Sequence, residues 1–566
     1  MSKVITKTLV VSLFLALGFA RGGVAQEDRF NIVRFQVEGN TLLPAERVQE
    51  LVAPFVGAGK KYGDVQKALE ALEGDYRRLG FGTVNVYVPE QELTSGVVRL
   101  IVSESVVGKV MISGNKFFGI DNIRASLPQL QEGKAPNLRE LSENVQLANE
   151  SPAKQMEVTL ATSEEENKVD VKVEVKEEDP ERFFVTLDNT GTKATGKHRL
   201  GVSYQNANIN DRDQVLTLAY TTAIDPPGGP KILGNHLLPN QDSEGIKVDI
   251  FSVGLRLPIY SIGDSLDFIY GNSSTNTPSS SPTLGSGLGI NGKGEVYGFR
   301  YNHIFPRAGE YTSKLVFGLD YKYMNSRCTV AGNPTPFGAA GCTPYTLRPV
   351  SATYSGQWQK PGESIDFNIG VMHNLFPMGS EFAFTPVPPA AGGTDRYSAA
   401  SGYRSKDEFT VIRFGGSYAT ALEGDWLLRI AASGQYAQNA LPAGERLGLA
   451  GSNAVRGFLE RAVAVDHGLF ANIEAYSPDI AAQLGLPGNL KGLLFFDVGR
   501  GFNLNPSVNE KVNISSIGVG FRYNIKKDFS VRFDVARVTD GYWPNGLPNV
   551  ALDGDIRGHF AIAVGF

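Results

Sequence analysis

The sequence predicts a signal peptide, two tandem α+β domains and then a 16-stranded antiparallel transmembrane β-barrel. Three observations support this prediction. Residues 28–179 repeat one order of strands and helices. Residues 180–566 consist of strand after strand with alternating side chains, and the connections between these strands alternate between tight and long. Short turns on one rim and long loops on the other are typical of outer-membrane barrels.

Residues 1–25 are predicted to be a secretory signal peptide. Two lysines precede an apolar run over residues 9–20, and small residues at positions 23–25 supply a cleavage site. This run is too short to span a bilayer. No later run reaches about 18 apolar residues, so the sequence predicts no transmembrane helix.

Composition excludes several classes of protein. Two cysteines in 566 residues cannot form a disulfide scaffold, and the six histidines show no metal-ligand spacing. The chain has no phosphate-binding loop, no Gly-x-Ser-x-Gly elbow and no His-Glu-x-x-His segment. We therefore predict no enzymatic activity, no cofactor, no metal and no nucleic-acid partner. The 64 glycines and 10% aromatic residues suit a large β structure with many turns.

The two predicted α+β domains span residues 28–104 and 105–179. Each begins with a strand that closes on a Gly-Asn turn, followed by two helices and two strands. In the first domain, apolar residues at i, i+3 and i+4 spacing mark a helix over residues 64–79. The helices of the second domain, predicted near residues 120–127 and 138–148, have a weaker pattern.

The barrel is predicted over residues 180–566. Strands such as residues 315–323 and 529–536 alternate apolar residues with charged residues or glycine. A soluble β-sandwich would show the same alternation. Strands of about ten residues and the sorted loop lengths are what favour a barrel over a sandwich. The chain ends in an alternating strand with a terminal aromatic residue, Phe566, which predicts closure against the first strand and a barrel-assembly signal.

The predicted functional site is the loop at residues 439–466, which contains Val455, Arg456, Gly457 and Phe458. One strand later, Asp497 lies on the face opposite to that of Leu494, Phe496 and Val498. If the outer face meets lipid, Arg456 and Asp497 can form a bidentate pair inside the barrel. The alternative is a solvated loop arginine and an unrelated strand aspartate.

Taken together, these features resemble the POTRA-barrel superfamily, and in particular the two-partner secretion transporters (TpsB, FhaC-like). The repeats resemble polypeptide-transport-associated (POTRA) domains, and residues 455–458 resemble its Val-Arg-Gly-(Tyr/Phe) motif. Residues 496–499 are matched to the Phe-x-Asp-x-Gly companion motif. The resemblance implies that Arg456 pairs with Asp497 on the barrel wall, with Glu474 as a further partner and with Phe496 and Gly499 in the companion motif.

The resemblance implies a function as an outer-membrane pore of a Gram-negative bacterium, with its POTRA domains in the periplasm. Such pores export a large unfolded exoprotein (TpsA-like), contact membrane lipids and depend on the barrel-assembly machinery for insertion. An exposed POTRA strand edge can pair with an extended cargo chain, and we predict this edge at Val84, Val86 and Val88. The alternatives are a barrel assembly or insertion factor of the same superfamily and a passive porin.

Two further expectations concern the loops and the pore. Cys328 and Cys342 lie in one predicted long loop, and we expect a disulfide there rather than free thiols. Only a few residues separate Ala25 from the strand predicted near Asn31, which leaves no room for the plug helix of some relatives. Either the in-folded loop alone closes the pore, or the resting conductance is higher.

Overall fold

The computed structural model describes residues 29–92, 95–192, 195–225, 248–273, 294–324, 329–330, 333–334, 345–375, 408–504, 511–542 and 551–566. The chain divides into two compact units, Met1–Ser105 and Val106–Phe566. The predicted signal peptide lies outside the described residues. No helix in the described ranges is both long and apolar enough to cross a membrane.

The first unit is a POTRA-like α+β fold. Its strands are Phe30–Ile32, Arg34–Glu38, Gly57–Lys60, Val84–Tyr87 and Val97–Glu104, and its helices are Ala45–Val52 and Tyr62–Arg78. Val97–Glu104 is the central strand of a three-stranded sheet; it runs parallel to Arg34–Glu38 and antiparallel to Val84–Tyr87. Leu72 and Tyr76 of the longer helix are fully buried against this sheet.

The second unit begins with the same fold. Its strands are Val106–Ser113, Lys154–Thr162 and Lys168–Glu177, and its helices are Ile120–Ser126 and Leu138–Ala148. The central strand Lys168–Glu177 again has one parallel and one antiparallel neighbour. Its inward valines, Val171 and Val173, are fully buried. This second POTRA-like domain ends at Glu177, and the first barrel strand starts at Glu181.

The rest of the second unit is a closed antiparallel barrel of 16 strands, as the sequence predicted. In chain order the strands are Glu181–Asp188, Arg199–Ile209, Gln214–Ala223, Asp249–Ile259, Asp264–Ser273, Gly294–Ala308, Tyr311–Met324, Pro349–Lys360, Glu363–Asn374, Thr410–Ala421, Leu427–Ala437, His467–Tyr476, Asn489–Phe502, Lys511–Ile525, Phe529–Asp540 and Ile556–Gly565. A short piece, Tyr345–Leu347, extends the eighth strand.

The barrel faces sort as the alternation predicts. In the thirteenth strand, Leu494, Phe496 and Val498 are exposed on the outer face, whereas Phe495 and Asp497 are buried on the inner face. Side chains alternate because successive residues of a strand point to opposite sides. The outer face is therefore an apolar surface suited to lipid, and the inner face carries the polar residues.

The barrel closes between its last and first strands. Residues Ala561 to Gly565 pair with Asp188 to Phe184. The terminal residue Phe566 continues this pairing, because its main chain exchanges hydrogen bonds of 2.9 and 3.2 Å with Phe183. The predicted assembly residue therefore lies at the seam of the barrel, with an exposed side chain.

Candidate functional site

The loop at residues 439–466 folds into the lumen of the barrel and packs there through an apolar cluster. Its buried apolar side chains are Leu449, Ala450, Val455, Phe458, Val463 and Val465. They pack against Val512 and Ile514 of the fourteenth strand and Val538 of the fifteenth. Because full burial of one such side chain contributes about 1.5–3 kcal/mol, this cluster is a substantial part of what holds the loop inside.

Arg456 forms the charged centre of the loop and is 1% exposed. Its Nε and Nη2 each donate to one oxygen of Asp497 at 2.7 Å, a bidentate pair. The main-chain N–H of Arg456 also donates to Asp497, at 3.1 Å. Asn472 supports both sides of this pair, because its side-chain amide donates to Asp497 and to the carbonyl of Ala454 at 2.8 Å each.

Two further carboxylates face the same guanidinium. Arg456 Nη1 lies 3.0 Å from Glu474 and 3.6 Å from Asp534. Each of these carboxylates has a second arginine: Arg429 donates to Glu474 at 3.0 Å, and Arg522 donates to Asp534 at 2.7 Å. Each buried charge is therefore paired with an opposite charge, as its removal from water requires.

An aromatic ring covers the guanidinium. The Arg456 Cζ atom lies 3.5 Å from the centre of the Phe495 ring, close enough for a cation–π contact. The structure corrects the expectation for Phe496, which lies on the outer face and is 41% exposed. The Phe-x-Asp-x-Gly spacing itself fits Phe495, Asp497 and Gly499, which share the inner face. The pleat of the strand was the signal that could have located Phe495.

Two glycines allow the loop tip to approach the wall. Gly457 has φ +96°, and a Cβ atom there would lie 3.0 Å from Val538. On the wall, a Cβ atom at Gly499 would lie 3.0 Å from a methyl group of Val455. A Cβ atom at either position would therefore require a shift of a few tenths of an ångström, and Gly457 also has a backbone conformation that favours glycine.

A second charged contact holds an earlier part of the loop to two other strands of the wall. Glu445 is 2% exposed and accepts from Lys322 at 2.7 Å and from Arg413 at 3.0 Å. These cations belong to the seventh and tenth strands, whereas Asp497 belongs to the thirteenth. Glu445 was not predicted from the sequence, because no local pattern distinguishes it from a solvated loop glutamate.

We expect Phe495→Leu to loosen the loop and Phe496→Leu to leave it docked. A buried cation–π contact contributes about 2 kcal/mol, so loss of the ring should raise the rate of tryptic cleavage within residues 439–466 roughly 30-fold. The measurement is limited proteolysis of the purified, folded barrel. Phe496→Leu is the matched control, since it removes the same ring from the outer face. Equal cleavage rates for the two variants would show that the ring over Arg456 contributes nothing.

A buried ion pair joins the second POTRA-like domain to the short-turn rim of the barrel. We call this cluster of Lys154, Asp213 and Tyr260 the joint. Lys154 Nζ donates to Asp213 at 2.6 Å, and the Tyr260 hydroxyl donates to the same carboxylate at 2.5 Å. Burial lowers the pKa of Lys154 from its ordinary value, while the Asp213 carboxylate opposes this shift.

Additional contacts surround the joint. Glu150 accepts from Arg256 of the fourth strand at 3.0 Å and from Lys314 of the seventh at 2.9 Å. Asn144 donates to the main-chain carbonyl of Tyr260 at 2.7 Å. The domain is therefore held to the barrel at several strands, all from the rim that carries the short turns.

The predicted cargo edge at Val84, Val86 and Val88 is only partly available. Val84–Tyr87 is an edge strand, but the side chains of Val84 and Val86 are buried in the domain core. The outward N–H of Val84 donates to the carbonyl of Phe81 at 3.3 Å, and that of Val86 donates to the Glu73 carboxylate at 3.1 Å. Both main-chain donors are therefore already occupied. The second domain also has an edge strand, Lys154–Thr162.

Cys328 and Cys342 lie outside the described residues, so the disulfide stays a prediction. The structure brings Val455, Arg456, Gly457 and Phe458 together with Asp497, Glu474 and Gly499 in one cluster.

Family models match both parts of the chain. A model described as "Haemolysin secretion/activation protein ShlB/FhaC/HecB" matches residues 167–331 and 352–523. A model described as "POTRA domain, ShlB-type" matches residues 30–105.

The chain is also similar to curated transporters. It is 26% identical over 171 residues to the outer membrane transporter CdiB of Escherichia coli O6:K15:H31 (strain 536 / UPEC), which is 30% of this chain and 29% of that protein. It is 20% identical over 536 residues to the heme/hemopexin transporter protein HuxB of Haemophilus influenzae, covering 90% of this chain and 84% of HuxB.

Two solved structures share the fold. CdiB from Escherichia coli superposes with a TM-score of 0.68 at 17% identity and covers 98% of this chain and 93% of that one. CdiB from Acinetobacter baumannii gives a TM-score of 0.67 at 15% identity, with 96% and 91% covered.

Proposed function

Because the chain belongs to the haemolysin secretion/activation family ShlB/FhaC/HecB, we propose that it exports an unfolded partner exoprotein from the periplasm to the cell surface. The chain lies in the outer membrane, with its POTRA domains in the periplasm. Transporters of this family work with TpsA-like secreted exoproteins. The role is transport rather than catalysis.

The observation that carries this proposal is the buried Arg456, presented by a loop inside a closed barrel that is joined to a POTRA-like domain. A barrel that only passes small solutes does not need a loop fixed by a bidentate pair and by a second contact at Glu445. The loop occupies the lumen along the route that a chain must take. Its docking to the wall therefore supports both closure of the pore and its conformation during export.

The energy of export is proposed to come from the cargo. The outer membrane offers no nucleotide, and the sequence has no phosphate-binding loop. A cargo that folds at the cell surface cannot return through the pore as an extended chain, so its folding drives net movement out of the periplasm. The apolar outer face contacts lipid, and Phe566 at the seam is the proposed recognition residue for the barrel-assembly machinery.

The experiment that tests this function is secretion of a partner exoprotein. Genes that flank this one are first searched for a large secreted β-repeat protein, and that candidate cargo is expressed with and without this chain in a Gram-negative host. We expect the cargo in the medium only when the full chain is present, and cargo retained in the periplasm when residues 30–105 are deleted. Equal secretion without the chain would contradict the proposal.

We propose the outer part of strand Lys154–Thr162 as the main-chain contact for extended cargo. Asn149 already occupies the N–H and the carbonyl of Met156, at 2.6 and 3.0 Å. The pleat directs the N–H groups of Val158 and Leu160 to the same free edge. Within the described ranges no side chain accepts a hydrogen bond from either N–H group, so this edge suits β-strand addition, which tolerates varied cargo sequences.

Val158→Pro should therefore reduce export, whereas Val158→Thr should not. Proline removes the outward N–H and is tolerated on an edge strand, while threonine keeps the N–H and the shape of valine. Loss of one hydrogen bond of about 1 kcal/mol predicts a severalfold decrease in secreted cargo. Hydrogen exchange of the central strand Lys168–Glu177 checks that the domain stays folded. Equal export by the two variants would place the cargo contact elsewhere.

A further inference from the structure

His559 is a buried histidine that contacts the loop tip, although no sequence motif singles it out. It lies on the closing strand Ile556–Gly565 and is 4% exposed. The main-chain N–H of Gly457 donates to its Nε2 atom at 3.0 Å. An imidazole nitrogen accepts a hydrogen bond only when it carries no proton, so this contact requires the neutral ring with its proton on Nδ1.

The contact complements the one made by Arg456. The N–H of Arg456 donates to Asp497 on the thirteenth strand, and the next N–H, that of Gly457, donates to His559 on the sixteenth. Two consecutive peptide groups are thus bound to strands on either side of the loop tip. The bond to the sixteenth strand adds a second direction of attachment to the contacts that Arg456 makes with the thirteenth.

His559 also lies where the closing strand has its least main-chain support. The pairing with the first strand covers only Ala561 to Gly565 on the closing strand. Beyond Asp188, the side chain of Asn189 takes over, donating to Gly558 at 2.9 Å and accepting from Phe560 at 3.0 Å. The hydrogen bond from the loop therefore reaches the segment of the closing strand that the first strand does not cover.

Charged groups from several elements surround the imidazole. The cations whose fields reach it are Arg557 on its own strand, Arg532 on the fifteenth strand and Arg456 on the loop. The carboxylate of Asp534, its cross-strand neighbour, opposes them. The carboxylate of Glu460, on the loop, interacts electrostatically with Arg557.

We propose that His559 is a positioning residue of the export channel: its neutral imidazole holds the Gly457 peptide, and with it the Arg456 loop tip, against the closing strand. Protonation places an N–H opposite the N–H of Gly457, so acid releases the tip. The histidine acts through the loop and need not touch the cargo. The inference rests on the proposed export function for its secretion readout, whereas docking of the loop can be measured on the purified protein alone.

The test compares His559→Gln with His559→Leu in the full-length protein. Glutamine places a carbonyl oxygen near the position of Nε2 and keeps the acceptor, whereas leucine leaves the buried N–H of Gly457 unpaired. An unpaired buried donor shifts a docking equilibrium roughly tenfold or more. We expect the leucine variant to show larger and more variable single-channel conductance in planar bilayers and roughly tenfold less secreted cargo. The glutamine variant should behave like the wild type at neutral pH.

The pH profile separates this role from simple packing. As the pH falls from about 6.5 towards about 4, the wild-type conductance should rise reversibly, because an imidazole released from the Gly457 N–H binds a proton below its ordinary pKa of about 6.5, whereas His559→Gln should lack this added rise. Heat-modifiable mobility on gels verifies the folded barrel, and if the leucine variant fails to fold, the glutamine profile still decides. Identical pH profiles for wild type and His559→Gln, or normal conductance in folded His559→Leu, would overturn the proposal. If the conductance results are as expected but the wild-type protein secretes no cargo, the proposed function is wrong while the role of His559 stands.

Discussion

Replacing Arg456 by alanine is expected to reduce export about 100-fold or more while the barrel still inserts and folds. The change leaves the carboxylate of Asp497 buried without its bidentate partner and removes the cation shared with Glu474 and Asp534. Breaking a buried pair in this way costs about 3–5 kcal/mol, which is enough to invert the docking equilibrium of the loop. The strands keep their main-chain hydrogen bonds, so the barrel itself should persist.

Arg456→Lys should be intermediate rather than neutral. A lysine ammonium keeps the charge but cannot make the bidentate contact with Asp497 or stack flat on Phe495. We expect export between that of the wild type and that of the alanine variant. The measurement is the amount of cargo in the medium, normalised to the amount of heat-modifiable barrel in the outer membrane.

Arg500→Ala is the matched control for both variants. Arg500 lies on the same strand as Asp497 but on the exposed outer face. Its loss changes the charge of the chain equally and leaves the loop cluster intact, so export should stay near the wild-type level. If Arg456→Ala exports as much cargo as Arg500→Ala does, the loop arginine is dispensable and its burial needs another explanation.

The barrel and the loop cluster were predictable because they depend on local periodicity. Alternation with a period of two fixes which residues face inward, and sorted loop lengths fix which rim is which. The inward position of Asp497 followed from the same pleat, whereas Arg456 followed from the resemblance of residues 455–458 to the family motif. An error of one residue along a strand reverses the face, so assigning the companion aromatic to Phe496 instead of Phe495 moved it to the opposite face of the wall.

Contacts between distant segments were not predictable in the same way. Glu445 meets Lys322 and Arg413 only because the loop crosses the lumen. His559 is one isolated histidine whose neighbour is 102 residues away in the chain. The occupied edge at Val86 depends on a glutamate from the preceding helix. No spacing rule describes such pairs, because the fold rather than the local sequence brings them together.

The joint gives the second prediction with a large expected effect: Lys154→Met and Asp213→Asn should each weaken attachment of the second POTRA-like domain by about 3–5 kcal/mol. The side chains of Lys154 and Asp213 are 0% and 2% exposed, so either change leaves an opposite charge buried without its partner. Asparagine suits position 213 because it tolerates the local φ of 56°. We expect faster hydrogen exchange in strand Lys154–Thr162 and less secreted cargo.

The double variant tests whether Lys154 and Asp213 act as a pair, because it removes both charges at once. With both charges removed, the asparagine side chain at position 213 can still accept from Tyr260 and Ser126, which donate to Asp213 in the wild type at 2.5 and 3.0 Å. Replacing a whole buried pair is often nearly neutral, so Lys154→Met/Asp213→Asn should export better than either single variant. Lys172→Met is the control, because its pair with Glu174 is exposed and contributes about 0–1 kcal/mol. Additive losses in the double variant would mean that the two residues act independently rather than as a buried pair.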